Sequence, residues 1–246
     1  MVPQANTTVE PEFWAMMPPG WSVLSARLVS GKTDVHARLL DYGTQFAATA
    51  DQFADAPIDV LAAACSGASY LMGAAQERDV VAEVERQKRV PFITSALASV
   101  AALRQLGARD IALLSPYPQS LTKASRGYWQ AHGFRLVGEA APQPVKDEGH
   151  PIYTMTPASV LAAYHALSDK RPDAVLMLGT GMATLEALRA GQKLGLAPAV
   201  SCNLALAWAA SQSSRWDALS EAGLAEWITG ASWQARFECL FPEPLV

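Results

Sequence analysis

The sequence predicts an α/β fold of two similar lobes, each a doubly wound parallel sheet. We expect a pseudo-twofold axis to relate the lobes and the active site to lie in the cleft between them. Short apolar runs with the character of buried strands are each followed by turn residues and a helical segment. The order of these segments restarts after about 110 residues. Strands that alternate with helices indicate parallel sheets with helices on both faces.

The first half predicts four strands, each followed by a helix. Residues 1–3 read as the end of a strand, and the polar turn after them leads into a helix that stops at the Pro-Pro-Gly of residues 18–20. Residues 21–29 alternate as a strand, and residues 34–53 are helical. The half is completed by a strand at 60–64, a helix, a charged helix at 76–89, a strand at 91–94 and a helix at 96–106.

The second half repeats this order. Pro116 and Gly133 stand at the same interval as Pro3 and Gly20, and an aromatic residue starts the next strand in both halves. Several such matches in one order indicate an internal repeat. We therefore expect a first lobe at residues 1–108, a second lobe at 109–210 with a loop or flap near 142–157, and a Trp-rich extension at 211–246.

The composition favours a globular protein and excludes several classes of partner. Half of the 246 residues are hydrophobic, 17% are charged, and the formal net charge is −4 without a basic block. This balance gives no electrostatic basis for binding nucleic acid or an anionic membrane. No apolar run approaches the roughly 20 residues of a spanning helix, and no signal-peptide pattern is present. Three widely spaced cysteines without metal-ligand spacing predict a cytoplasmic protein with no metal site.

Cys65 is the leading candidate for chemistry. It ends the apolar run at 60–64, and the small residues after it suit a tight turn and a helix N-cap. Ligands of open α/β sheets bind at the carboxyl ends of strands. Backbone N–H groups and a helix N-terminus would favour the thiolate of Cys65 and an anionic ligand. A lone cysteine is otherwise more often a small core residue.

Four motifs carry a family resemblance. They are Val-Pro-x-x-Asn-Thr-Thr-Val-Glu-Pro-Glu at residues 2–12, Cys-Ser-x-Ala-Ser at 65–69, Ser-Pro-Tyr at 115–117 and Ser-x-Asn-x-Ala-Leu-Ala-Trp at 201–208. Together they resemble the maleate cis–trans isomerases. That branch belongs to the aspartate/glutamate/hydantoin racemase superfamily, which also includes arylmalonate decarboxylase. The resemblance covers about residues 1–210, and the first motif is the one most specific to the isomerase branch.

The resemblance implies cofactor-independent chemistry next to a carboxylate, with a small carboxylate or dicarboxylate as substrate. In an isomerase of this type, Cys65 would add to the double bond, the central bond would rotate, and the thiolate would leave. In a decarboxylase, Cys65 would instead protonate an enediolate made from a substituted malonate. A third possibility is a homologue that binds carboxylates without catalysis.

Gly179 departs from the two-thiol pattern of the superfamily. The position that resembles the second cysteine of the family holds this glycine, within Leu-Gly-Thr-Gly-Met at residues 178–182. A racemase that needs two thiols is therefore disfavoured. One thiolate can carry out the addition, rotation and elimination steps, so an isomerase remains the leading interpretation. The arylmalonate decarboxylase of this superfamily resembles this arrangement in mirror image, with the glycine in the first half and the thiol in the second. If this chain decarboxylates a prochiral malonate, we therefore expect a product of the opposite handedness.

Further candidate residues follow from the repeated turns. They are expected to bind substrate carboxylates or a developing enediolate through side chains or backbone N–H groups, and they are Asn6, Ser66, Gly67, Tyr117, Gly179, Thr180 and Gly181. Asn203 is expected to cap a helix, and Cys202 to be a residue at the edge of the core. No Arg or Lys occupies a cleft turn, which favours neutral donors. His150 on the insertion is the histidine best placed to reach the cleft.

The extension from residue 211 lies outside the resemblance. Its tryptophans and Phe237 are suited either to covering an exposed sheet edge or to forming a dimer contact. A homo-oligomer is therefore possible, and a poorly ordered tail is the alternative.

Overall fold

The computed structural model describes residues 1–145, 151–212 and 221–242. The strands are β1 (Val2–Pro3), β2 (Arg27–Leu28), β3 (Leu61–Ala63), β4 (Phe92–Thr94), β5 (Asp110–Leu114), β6 (Arg135–Ala140), β7 (Ala174–Met177) and β8 (Ala199–Ser201). The helices of the first lobe are α1 (Val9–Met16), α2 (Val35–Thr44), α3 (Phe46–Ala50), α4 (Ser66–Lys88) and α5 (Ser95–Gln105). The later helices are α6 (Gln119–Ala131), α7 (Pro157–His165), α8 (Leu185–Lys193), α9 (Cys202–Ser211), α10 (Glu221–Thr229) and α11 (Gln234–Leu240).

The second lobe is built on one four-stranded parallel sheet. Its strand order is β6-β5-β7-β8. The two central strands are apolar and almost fully buried, as parallel strands covered on both faces must be.

The first lobe has the same strand order. Two parallel pairs, β1-β2 and β3-β4, are joined at Met1. The ammonium group of Met1 donates to the carbonyl of Ala62 at 2.6 Å, and the Ala64 N–H donates to the Met1 carbonyl at 2.9 Å. The order β2-β1-β3-β4 therefore repeats that of the second lobe. The predicted α/β class with parallel sheets is confirmed, whereas the lobe boundaries at 108 and 210 stay predictions.

Several predicted elements differ in extent. The strand predicted at 21–29 pairs only over Arg27–Leu28, and the helix predicted at 34–53 is divided into α2, α3 and a 3₁₀ turn. The charged helix predicted at 76–89 is continuous with α4 across a kink at Gly73, where φ is +76° and ψ is 164°. Such a conformation favours glycine, which explains why the chain can bend there without ending the helix.

Helices from both lobes pack against each other and bury one shared core. α4 packs against α6, and α5 packs against α9. The main apolar cluster contains residues of both lobes, with the fully buried Trp129 and Trp208 among its largest members. The docking of the lobes fixes how the turns at the ends of their strands face each other.

The C-terminal extension packs back onto the first lobe. α11 lies against α1, and the Arg236 guanidinium donates to the carbonyls of Ala15 and Met16 at 3.0 and 2.8 Å, which satisfies the end of α1. Trp227 and Trp233 are buried within the chain itself. Trp216 lies outside the described residues. Among the described helices, none combines the length and the apolar character needed to cross a bilayer.

Candidate active site

A small cavity lies between the two lobes, at the carboxyl ends of their central strands. Its volume is about 100 Å³. It is lined by Pro3, Ala5, Asn6, Val35, Arg38, Leu39, Tyr42, Cys65, Ser66, Gly67, Tyr117, Ile152, Tyr153, Thr180 and Gly181. All the residues that the sequence predicts for the site are in this lining except Gly179.

Cys65 connects β3 to α4. It stands at the N-cap position of α4 with a non-helical backbone, and only 3% of its surface is exposed. Burial raises the pKa of the Cys65 thiol to about 12, and the Ala68 N–H opposes only part of this effect. This direction is opposite to the expectation that the turn favours the thiolate, because desolvation outweighs the hydrogen bond from the Ala68 N–H.

Ser66 and Tyr117 bring hydroxyl groups from opposite lobes together. Ser66 is the first residue of α4, and Tyr117 lies in the turn after β5. The two hydroxyl oxygens are 3.0 Å apart, which is a hydrogen bond. Burial raises the pKa of Tyr117 well above its ordinary value, so the phenol keeps its proton. This pair can offer a hydroxyl hydrogen to an anionic ligand.

Asn6 and Thr180 form a second link between the lobes. The Asn6 amide donates to Thr180 Oγ1 at 3.1 Å, and Thr180 Oγ1 donates to the Ala64 carbonyl at 2.8 Å. The Asn6 Oδ1 atom accepts the N–H groups of Thr8 and Val9 at 2.9 and 3.1 Å. Asn6 therefore both stabilises the start of α1 and presents its amide to the cavity.

The position that resembles the second thiol of the family has no room for a side chain. Gly179 has a φ of +87°, and a Cβ atom there would lie 2.8 Å from Ile152 Cδ1 and from Pro116 Cγ. The same Cβ would lie 3.3 Å from the hydroxyl oxygen of Tyr117. A Cβ at Gly181 would meet Tyr153 Cε1 at 2.6 Å. The 3₁₀ turn Pro151–Thr154 thus packs on both glycines and closes the cleft.

The sequence analysis missed the wall that α2 contributes. It considered the repeated turns and the insertion near 142–157 and found no cation in the turns, yet Arg38 of α2 lines the cavity. Its guanidinium donates to the carbonyls of Lys32 and Thr33, both at 3.0 Å, which holds it in place. Gly67 allows α2 to come close, because a Cβ there would lie 2.9 Å from Leu39 Cδ1. The sequence signal for this close approach is Gly67, two residues after Cys65.

Behind the cavity, a buried carboxylate joins the lobes. Glu12 Oε1 accepts the N–H groups of Thr184 and Leu185 at 2.5 and 3.2 Å, at the start of α8. Its Oε2 accepts from the Asn203 amide at 2.7 Å, and that amide also donates to the Thr180 carbonyl at 3.0 Å. The expectation that Asn203 caps a helix is wrong, because the Ser201 hydroxyl caps α9. Burial raises the pKa of Glu12, against these hydrogen bonds.

The remaining candidates lie apart from the cavity lining. Cys202 is fully buried with its sulfur 3.9 Å from the Tyr70 hydroxyl, and Cys239 is exposed. Within the described ranges, no group of three or more His, Cys, Asp or Glu residues is arranged to hold a metal ion. His150, predicted to reach the cleft, lies outside the described residues.

Comparison with known families gives a consistent result. The model of the arylmalonate decarboxylase family matches residues 1–224. The maleate isomerase of Pseudomonas putida KT2440 is 29% identical over 147 residues, which cover 55% of this chain and 59% of that enzyme. The chain thus matches about three fifths of that relative's length. The maleate isomerase of Alcaligenes faecalis is 25% identical over 191 residues, covering 72% and 74%.

Solved structures of the same two kinds of enzyme share the fold. The maleate isomerase Iso of Pseudomonas putida S16 superposes with a TM-score of 0.77 at 23% identity, over 86% of this chain and 89% of that one. A Nocardia farcinica maleate cis–trans isomerase mutant with a covalently bound succinylcysteine intermediate superposes with a TM-score of 0.73 at 25% identity, over the same shares of the two chains. A liganded arylmalonate decarboxylase mutant, with one glycine changed to cysteine and one cysteine to serine, superposes with a TM-score of 0.75 at 19% identity. The match covers 89% of this chain and 92% of that one.

Proposed function

Because the chain belongs to the arylmalonate decarboxylase family, which confirms the branch identified from its motifs, we propose that it isomerises a small unsaturated dicarboxylate without a cofactor. The observation that carries this proposal is the position of Cys65 on a small cavity with hydroxyl and amide donors from both lobes. The cavity volume of about 100 Å³ lies well below the roughly 300–1,000 Å³ of pockets for drug-sized ligands. A four-carbon dicarboxylate suits such a space better than an arylmalonate does.

The proposed reaction uses Cys65 as both nucleophile and proton carrier. Its sulfur forms a bond to one carbon of the double bond, and the π electron pair moves into the carboxylate on the other carbon. The thiol proton passes to an oxygen of that carboxylate, which gives a protonated enediolate. The substrate then rotates about the resulting single bond. The proton returns to sulfur as the C–S bond breaks, and the double bond forms again in the trans geometry. The succinylcysteine intermediate of the Nocardia relative supports a covalent step of this kind.

The surrounding donors are assigned to the two carboxylates. Tyr117, Ser66 and the Gly67 N–H would stabilise the carboxylate that takes up the electron pair, because donors aimed at developing charge are often the largest catalytic contribution. Asn6, Thr180 and the Gly181 N–H would hold the other carboxylate. Because Gly179 has no side chain, Tyr117 and the 3₁₀ turn can occupy the space beside it. Cytoplasmic location and a homo-oligomeric state stay predictions.

The test compares the two buried cysteines. Wild type, Cys65→Ser and Cys202→Ser are incubated with maleate, and fumarate is followed by proton NMR. We expect conversion by wild type and by Cys202→Ser, and none by Cys65→Ser. Rapid quenching and mass spectrometry should show one maleate added to the Cys65 peptide. Conversion by Cys65→Ser would overturn the proposal.

One observation favours decarboxylation as the second candidate. Burial raises the pKa of the Cys65 thiol to about 12, so the thiol carries the proton that a donor needs. In that reaction the bond to one carboxyl group of a substituted malonate breaks with release of carbon dioxide, and Cys65 protonates the enediolate carbon. Carbon dioxide release from phenylmalonate, with no adduct on Cys65 and no turnover of maleate, would favour this candidate. Thermal stabilisation by dicarboxylates without turnover of either substrate would indicate a binding protein.

A further inference from the structure

Arg38 is the cation of the candidate active site. Among the described residues that line the cavity, it is the only one with a charged side chain, and the other lining side chains are apolar or neutral. A dicarboxylate brings two negative charges into this space, and hydrogen bonds from a charged donor compensate them better than those from neutral donors. The reaction proposed for Cys65 gives no role to this cation, so its presence needs an explanation.

The protein fixes one edge of the Arg38 guanidinium. Asp34 caps the start of α2, and Arg38 follows one turn later. Its Nε and Nη2 atoms donate to the carbonyls of Lys32 and Thr33, both at 3.0 Å. Its Nη1 atom finds no acceptor among the residues that the structure describes. Because a guanidinium presents five N–H donors in a planar fork, Nη1 remains for an anion from outside the chain.

The charge of Arg38 also lacks a carboxylate partner within the described ranges. Arg27, which contacts the lining residue Asn6, shows the difference. Its Nη2 atom lies 2.5 Å from Oε1 of Glu10, and its Nη1 atom donates to the Asn6 carbonyl at 3.0 Å. Arg27 is thus neutralised inside the protein, whereas Arg38 keeps its positive charge for the cavity that it lines. Arginine in such a position is suited to binding a carboxylate.

The Arg38 charge acts on one end of the cavity. Burial raises the pKa of Tyr42, and it raises the pKa of Tyr153 to about 12, while the Arg38 charge opposes both shifts. The pKa of Tyr117 is instead governed mainly by burial, by Cys202 and by Ser66. Tyr42 and Tyr153 both line the cavity. A carboxylate at their end of the cavity would therefore lie closest to the cation.

We propose that Arg38 anchors the carboxylate that Tyr117 and Ser66 do not hold, and thereby makes the site selective for dicarboxylates over monocarboxylates. This inference rests on the proposed function, since it concerns the substrate of the same site. The anchored carboxylate stays in place while the other half of the substrate rotates about the central bond. It keeps its charge throughout, so Arg38 stabilises the substrate and the transition state alike. Its loss should therefore raise KM and leave kcat nearly unchanged.

The test measures binding without turnover. Cys65→Ser is titrated by calorimetry with maleate and with isocrotonate, in which a methyl group replaces one carboxylate. Addition of Arg38→Gln should lower the affinity for maleate at least about tenfold, because a hydrogen bond to a charged group contributes about that much. The affinity for isocrotonate should fall much less, since a monocarboxylate can bind through the donors at the Tyr117 end alone.

Two variants serve as controls. Arg38→Lys keeps the charge and should restore part of the preference for maleate. Lys32→Gln removes a neighbouring positive charge from an exposed side chain outside the lining, and it keeps the carbonyl to which Arg38 donates. It should leave the affinity for maleate unchanged. In the chain that retains Cys65, Arg38→Gln should raise KM for maleate about tenfold with kcat within about threefold of wild type.

Equal losses of affinity for maleate and isocrotonate in Arg38→Gln would overturn the inference, because Arg38 would then only support α2. An unchanged affinity for maleate, or no binding of maleate by Cys65→Ser, would also overturn it. The proposed function fails on a separate result, which is the absence of maleate conversion by wild type. A preference for maleate that depends on Arg38 would support the inference even then, whereas conversion with an unaltered KM by Arg38→Gln would remove the inference alone.

Discussion

Replacement of Gly179 by alanine tests whether the second-thiol position is closed by packing. An L residue at a φ of +87° costs about 1–2 kcal/mol. The added Cβ would also lie 2.8 Å from both Ile152 Cδ1 and Pro116 Cγ, and overpacking of this kind typically costs about 1–3 kcal/mol. We therefore expect Gly179→Ala to lower the free energy of unfolding by about 2–5 kcal/mol.

Gly133 provides the matched control. Its φ is +92°, and a Cβ there would meet nothing within 4 Å. Gly133→Ala should therefore show only the backbone cost. Calorimetry of both variants should place the Tm of Gly179→Ala below that of Gly133→Ala by about 3–9 °C, at roughly 3 °C per kcal/mol for a chain of this size. Equal Tm values would show that the 3₁₀ turn moves away freely, and the steric argument for a single-thiol site would fail.

Three further predictions concern the site and its support. Alkylation of Cys65 by iodoacetamide should be slow at pH 8, and its rate should rise about tenfold per pH unit until about pH 12. The reason is that burial raises the pKa of the thiol to about 12 and only the thiolate reacts. A rate that levels off below pH 9 would contradict the role of burial. Tyr117→Phe removes the hydroxyl that lies 3.0 Å from Ser66 Oγ, and we expect kcat for maleate to fall about 10²–10³-fold with an unchanged fold by circular dichroism. Glu12→Gln can keep an oxygen for the Thr184 and Leu185 N–H groups, but its NH2 group then faces the Asn203 amide, which donates to Oε2 of Glu12, and urea unfolding should show a loss of about 1–3 kcal/mol.

Controls for these measurements are available in the same chain. Cys65→Ser should remove the slow alkylation phase, while the exposed Cys239 reacts in both proteins. Tyr164→Phe removes a buried phenol that is bonded to the Ala197 carbonyl, away from the cavity, and it should leave kcat unchanged. Glu238→Gln alters an exposed ion pair with Arg189 and should leave the midpoint of urea unfolding unchanged, because solvent screens exposed charges.

The sequence was sufficient to locate the four turns of the site, because each is a local event. An apolar strand, a small residue and a helix N-terminus can be read along the chain, and the repeat shows which turns must meet. Cys65, Asn6, Tyr117 and Thr180 were found in this way, and all four line the cavity. The identity of the branch followed from the motifs around the same turns.

The parts that could not be predicted depend on how the lobes dock. Arg38 reaches the cavity only because α2 packs close to Gly67, a contact that helical periodicity does not reveal. Glu12 resembles an ordinary acidic residue in the first turn of a helix, yet the other lobe buries it. The same burial reversed the expectation for Cys65. The turn and the helix N-terminus predicted a thiolate, whereas burial between the lobes raises the pKa of the Cys65 thiol.

The contacts that link Glu12 to Asn203 and Asn6 to Thr180 have a consequence for folding. These partners are 191 and 174 residues apart in the chain, so most of the polypeptide must be ordered before they can meet. Contacts at such separations close long loops and form late. We therefore expect the candidate active site to be the last part of the molecule to form during refolding. A chain with both sheets already formed should regain native helix content before it regains turnover.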